Sequence, residues 1–131
     1  MKRILLGAAA LVTLGLVALL AALLLAPLPP GPPGPEPGRT IFHGHCATCH
    51  GSDGHGGSWR AHLLLLRPGN LASPETAALP DAYLADLIRQ GGSTFGKPGM
   101  PSFGFTLTDP EIQALIAYLR TLPAASGAAR P

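Results

Sequence analysis

An all-α chain, with a membrane-spanning helix ahead of one small helical domain, is what the sequence predicts, and three observations predict it. Residues 4–26 contain no charge and one polar side chain, Thr13. Near the other end, Thr108-Asp109-Pro110-Glu111 opens a segment in which Ile112, Leu115, Ile116, Leu119 and Leu122 recur at helical spacing. Between them, both cysteines fall in Cys46-Ala47-Thr48-Cys49-His50, whose first, fourth and fifth positions lie together on one side of a helix. A chain of 131 residues has room for one such domain plus an accessory segment.

The first element is the apolar run. Its 23 residues, at about 1.5 Å each, make roughly 35 Å of helix, enough to cross a hydrocarbon core of about 30 Å with some tilt. A cleaved signal peptide also starts with basic residues, but its apolar region runs about 7–15 residues and ends in a small-x-small site. Here Leu24-Leu25-Ala26 offers leucine where a small residue is wanted, so residues 1–26 are expected to be an uncleaved anchor. Lys2 and Arg3 keep the N-terminal end cytoplasmic and send the rest outward. No cysteine near the end of the run could carry a lipid instead.

The run also explains the composition. Hydrophobic residues make up 47% of the chain and charged residues 12%, with a mean hydropathy of +0.30; soluble domains carry about 25% charged residues. Nine Lys+Arg against seven Asp+Glu give +2, yet from Pro27 onward the count is seven against seven. No basic surface remains for nucleic acid. A large multidomain enzyme and a disulfide-rich scaffold are excluded by length and by the two cysteines.

Residues 27–37 form a Pro/Gly-rich linker; from Pro27 to Gly38 there are seven Pro and three Gly. Proline fixes φ and removes a donor, so a polyproline II spacer of about 37 Å is expected, holding the domain off the bilayer and letting it swing. The domain follows at 38–123, and 124–131 are expected to be a flexible tail.

The C-x-x-C-H spacing lets two thiols bond to the vinyl groups of a haem while the adjacent imidazole reaches its iron. A thioredoxin-like redox pair needs a strand–helix context, which is lacking. Structural zinc needs two more strong ligands, and only histidines are available for that. A plain disulfide is the simplest competitor.

At these residues the sequence resembles the class I, monohaem c-type cytochromes, over residues 38–123. Gly38 to His45 looks like the family's first helix, and Gly51-Ser52-Asp53-Gly54 like the turn after the motif. Asp81 to Gly92 looks like its middle helix, and Gly99-Met100-Pro101-Ser102-Phe103 like its axial-methionine loop. The segment from Thr108 looks like its closing helix. The resemblance implies about three to five helices wrapped around one covalently attached haem. It implies attachment through Cys46 and Cys49, with iron ligated by His50 and Met100. Met100 is the only methionine beyond the initiator, in a loop stiffened by Gly96, Pro98, Gly99, Pro101 and Gly104. Met/His ligation raises a haem potential. Among the histidines, His62 is the rival ligand.

Around the site, a capping box at Thr108 and Glu111 is expected, and the resemblance, which implies first and last helices packed crosswise, puts Phe42 against Leu115, Tyr118 or Leu119. Tyr83, Leu84, Leu87 and Ile88 are read as core. Leu63 to Leu66 are read as a wall of the haem pocket, with an exposed docking patch as the other possibility. Relatives place a proline soon after the motif, its carbonyl accepting from the proximal imidazole. Residues 51–67 contain none, so Pro68 or a residue near Ser58 must supply that carbonyl. Trp59 and Arg60 are candidate donors to haem propionates.

The function implied is a membrane-tethered carrier of single electrons, not an enzyme, in a bacterial inner membrane with its haem domain on the periplasmic side. Its partners would be membrane-bound redox proteins: a quinol-oxidising complex, a terminal oxidase or a dehydrogenase. A fixed haem subunit of an oxidase or dehydrogenase complex is the alternative, and a haem peroxidase or gas sensor the minor one.

Overall fold

The computed structural model describes residues 2–122, so Pro123 and the expected tail at 124–131 lie outside the described residues. Every regular element among them is helical. In order they are α1 (Lys2–Leu25), α2 (Gly38–His45), α3 (Ala47–His50), α4 (Trp59–Leu63), α5 (Pro74–Ala77), α6 (Asp81–Gln90), a 3-10 turn (Ser93–Phe95) and α7 (Asp109–Leu119). The helices after α1 exceed three to five only through the single turns α3, α4 and α5. α1 is long and apolar enough to cross a membrane, and none of its span is buried by the rest of the chain.

The core forms where α2 lies on α7. Phe42, Ile112, Leu115, Ile116, Tyr118 and Leu122 are fully buried, and the Phe42 ring stands 5.3 Å from that of Tyr118. The apolar stripe read from the sequence thus faces inward over the whole of α7. Its start is set locally: the Glu111 carboxylate accepts from the Thr108 backbone N–H at 2.8 Å and from its hydroxyl at 2.7 Å, completing the capping box. Those two bonds, the hydroxyl first, hold the Glu111 carboxyl below its ordinary 4.5. The cap therefore contributes stability above that range and loses it as acid titrates through the lowered value.

Close approach of α2 to α7 needs a glycine. A Cβ on buried Gly38 would run into the Ala114 carbonyl. Gly38→Val should therefore destabilise the domain by about 2 kcal/mol or more. Gly44, with open space around it, should accept alanine with no loss. Thermal melts of the two variants check the contrast.

α6 buries Leu84, Ala85 and Ile88 against the same core, and Leu87 is buried too. Tyr83 is only half-buried, its ring edge-on to Phe95 at 5.2 Å. Two arginines fasten the periphery. Arg89 on α6 bridges Asp86 at 2.9 Å and Asp109 at the start of α7 at 2.7 Å. Arg120 reaches the Ala77 carbonyl at 2.9 Å, the Leu79 carbonyl at 2.5 Å and Asp81 at 2.5 Å, tying the end of α7 to the α5–α6 turn.

The Pro/Gly segment departs from the free spacer expected of it. Leu28 packs against the core, and Gly31 sits so close to His43 and the Ser52 carbonyl that a Cβ would clash with both. A Cβ on Gly34 would meet the Tyr118 ring at 2.5 Å. The Tyr118 hydroxyl donates to the Pro32 carbonyl at 3.1 Å, and Arg39 Nε to the same oxygen at 3.3 Å. Proline rigidity, expected to keep the segment extended in water, instead makes it a strap laid over α2 and α7.

Candidate haem site

The attachment segment is held from both sides. Cys46 sits at the break between α2 and α3, its N–H bonded to the Phe42 carbonyl at 2.8 Å, so the motif hangs directly from the buried Phe42. α3 carries Cys49 and His50. Beyond it, Gly51, Gly54 and Gly56 all adopt positive φ, near +80°, and turn the chain back. Gly56 N–H then donates to the His50 carbonyl at 2.7 Å. The buried Ser58 hydroxyl donates to the Thr48 carbonyl at 2.6 Å.

This return brings the 68–70 turn under the imidazole. His50 Nδ1 lies 3.0 Å from the Gly69 carbonyl oxygen. A carbonyl only accepts, so Nδ1 carries the proton and the Nε2 lone pair is free. Burial pushes the His50 pKa down, with the Gly69 bond opposing it in part, which keeps the ring neutral. The acceptor is thus Gly69, neither Pro68 nor a residue near Ser58. A Cβ on Gly56 would come within 2.5 Å of the Pro68 carbonyl, so the close packing of the two turns depends on Gly56. No side chain at position 69 advertises this role. The only sequence signal is the Pro68-Gly69-Asn70 turn, which Asn70 pins by accepting from Ala72 N–H at 2.9 Å.

Both thiols are unbridged and half-buried. Burial, and after it the neighbouring Cys49, push the Cys46 thiol up to about 12. That is the reverse of the low pKa a redox-active thiolate needs. Nor is there, among the described residues, any gathering of three or more His, Cys, Asp or Glu for a metal ion. The zinc reading loses its ligands.

Met100 is half-buried and packed against the core. Its loop folds back on the end of α6: Gly92 N–H donates to the Met100 carbonyl at 3.0 Å, and Lys97 N–H to the Gly92 carbonyl at 2.8 Å. Gly91, at φ +81°, lies where a Cβ would press on the Met100 and Pro101 backbone. The rival His62 is exposed on α4, and His55 pairs with Asp53 at 3.2 Å.

Two segments flank the site. Of the four consecutive leucines, only Leu66 turns inward, where a Cβ on Gly99, beside Met100, would reach it at 2.9 Å; Leu63, Leu64 and Leu65 are exposed. The chain turns there because Leu65 takes a left-handed φ of 57°, closing α4 with a bond from Leu66 N–H to the Ala61 carbonyl. Arg60 is directed at the end of α1, donating to the Leu23 and Ala26 carbonyls, and stacks 5.5 Å above the Trp59 ring. Only its Nη2 is engaged in this way, and its Nε is buried without a partner.

Two free thiols, an imidazole with its second nitrogen open, and a thioether in a braced loop are a donor set that fits a covalently attached haem. Comparison with known proteins agrees. The family model described as cytochrome c oxidase, cbb3-type, subunit III matches residues 33–119. The chain is also 29% identical over 92 residues to the gluconate 2-dehydrogenase cytochrome c subunit of Pantoea cypripedii, an alignment covering 65% of this chain and 20% of that one. It thus spans about a fifth of the length of that relative. With the match covering well over half of its residues, the chain belongs to the cbb3-type cytochrome c oxidase subunit III family, and its helical domain is a c-type cytochrome, an electron-transfer domain.

Proposed function

We propose that the chain is a membrane-tethered carrier of single electrons, with one haem c bonded through Cys46 and Cys49 and its iron ligated by His50 and Met100. α1 is its uncleaved anchor in a bacterial inner membrane, and residues 38–123 stand on the periplasmic side. The observation that carries this reading is the bond from His50 Nδ1 to the Gly69 carbonyl, which leaves Nε2 as the one free donor beside two free thiols. A haem held there supplies a one-electron Fe(II)/Fe(III) couple. His50 would donate from a ring whose tautomer Gly69 fixes, and Met100 would offer sulfur from a braced loop. Were His50 and Met100 both to hold the iron, they would leave no open position on it for substrate or gas chemistry. Its redox partners are membrane-bound: a quinol-oxidising complex, a terminal oxidase or a dehydrogenase.

The test is the pigment. Acid acetone should fail to extract it, the ferric protein should show the weak near-infrared sulfur-to-iron band, and native ferrous protein should refuse carbon monoxide. Extractable colour, a missing band or bound carbon monoxide each removes a part of the assignment. Gly56→Val should push the Gly69 carbonyl away from His50, weaken imidazole donation to the ferric iron, and raise the midpoint potential by on the order of tens of millivolts.

A second reading, a fixed haem subunit of an oxidase or dehydrogenase complex, is favoured by one structural feature. The strap at Leu28–Gly34 packs on the domain and removes the slack a roaming domain needs. A stoichiometric companion after mild detergent extraction would select it.

A further inference from the structure

We infer that the outer face of α4 and the turn after it, Trp59 with Leu63, Leu64 and Leu65, is a second membrane contact, lying in the headgroup–acyl boundary of the bilayer beside the end of α1. The inference rests on α1 being an uncleaved anchor.

Position comes first. A membrane helix leaves its last carbonyls without partners, and α1 has no basic residue in its final turn to meet them. Arg60 supplies the missing cation from elsewhere in the chain, donating to Leu23 at 3.3 Å and to Ala26 at 2.5 Å. α4 therefore sits at the point where the apolar helix ends, at the depth where lipid headgroups begin. The strap holds it there from the other side, because Leu28 and Pro29 share one cavity with Trp59.

Orientation comes second. At about 100° per residue, Trp59 and Leu63 lie opposite Ala61 on α4. Ala61 is fully buried in the domain, so Trp59 and Leu63 point away from the protein core. Leu66, not these residues, turns toward the Met100 loop. Exposure is 47% for Trp59, 57% for Leu63, 65% for Leu64 and 91% for Leu65. Leu65 also occupies a left-handed position where glycine would be easier, so the fold itself gains nothing from a leucine there.

Chemistry comes third. Tryptophan concentrates at membrane interfaces, where an apolar body and a polar N–H both find their medium. Arginines on either side, Arg60 and Arg67, suit a headgroup layer, and three adjacent leucines suit the acyl layer beneath it. A bilayer wets all of these at once, and the anchor already places them beside it.

The test uses full-length, haem-loaded protein in nanodiscs of phosphatidylcholine carrying a photoactivatable diazirine on its acyl chain, with labelled peptides located by mass spectrometry. Label is expected on α1 and on residues 59–65. In the triple variant Leu63→Ser, Leu64→Ser, Leu65→Ser, label on residues 59–65 should fall to background. Losing three leucines from lipid shifts docked against undocked by more than about a hundredfold. Label on α1 and the haem spectrum should stay unchanged. Label on α1 with none on 59–65 overturns the proposal and leaves the anchor standing. A displaced haem spectrum in the variant overturns it in favour of a pocket wall, and a co-purifying protein that shields 59–65 while the acyl probe misses them overturns it in favour of a protein partner. A mature chain whose mass begins near Pro27 overturns the anchor, and the proposal with it.

Discussion

Met100→Ala is expected to abolish the near-infrared sulfur-to-iron band, open the ferrous protein to carbon monoxide, and lower the midpoint potential. The shift should be a substantial part of the roughly 0.8 V over which axial ligands set haem potentials. Folding should survive the change. The loop is held by the Met100 carbonyl, which accepts from Gly92, and by Lys97 N–H on the Gly92 carbonyl, and neither bond involves the thioether. His62→Ala is the matched control and should leave all three readouts where they are. Potentiometry and carbon monoxide difference spectra on both variants decide the matter, and an effect from His62→Ala in place of Met100→Ala would move the ligand.

Removing both thiols should have the other large effect. Cys46→Ser with Cys49→Ser should yield no pigment that resists acid acetone, and the cooperative thermal transition of the domain should be lost. A domain this small buries too little of its own surface to be comfortably stable, and a covalent haem would supply much of its apolar interior. Cys46 hangs from Phe42 at the centre of the α2–α7 contact, so losing what it holds loosens the middle of the core. α1 depends on none of this, so the variant should remain in the membrane fraction. Circular dichroism of the detergent-extracted variant should show α1 helix retained and the rest reduced. A fully folded, colourless domain would show that the haem is not part of the core.

What the sequence made legible is what short-range pattern encodes. The Thr108–Glu111 box and the inward stripe of α7 each depend on neighbours within a turn or two, and each stands where it was read; the five-residue motif is equally local, with Cys46 at the break ahead of α3. Phe42 on Tyr118 was among the pairs that the resemblance implied, through first and last helices that cross. The misreadings are long-range or carried by backbone. Gly69 was invisible because a carbonyl's direction leaves no trace in residue type, and position 68 drew attention only through its ring. The strap was taken as free because the contacts of Gly31 and Gly34, with His43 and Tyr118, cross up to 84 positions of sequence. The reach of Arg60 to the Leu23 and Ala26 carbonyls is long-range in the same way, since arginine serves any anionic or carbonyl partner and residue type names none of them.

The strap has a kinetic consequence. The eleven residues 27–37 left loose would let the redox centre sample a hemisphere tens of Å across, finding donors by its own wandering. Laid down between Gly34 and Tyr118, they leave one presentation of that centre. With α1 anchored as proposed, encounters would be set by lateral drift of the whole molecule in its plane, and turnover should respond to lipid viscosity more than to the length of residues 27–37.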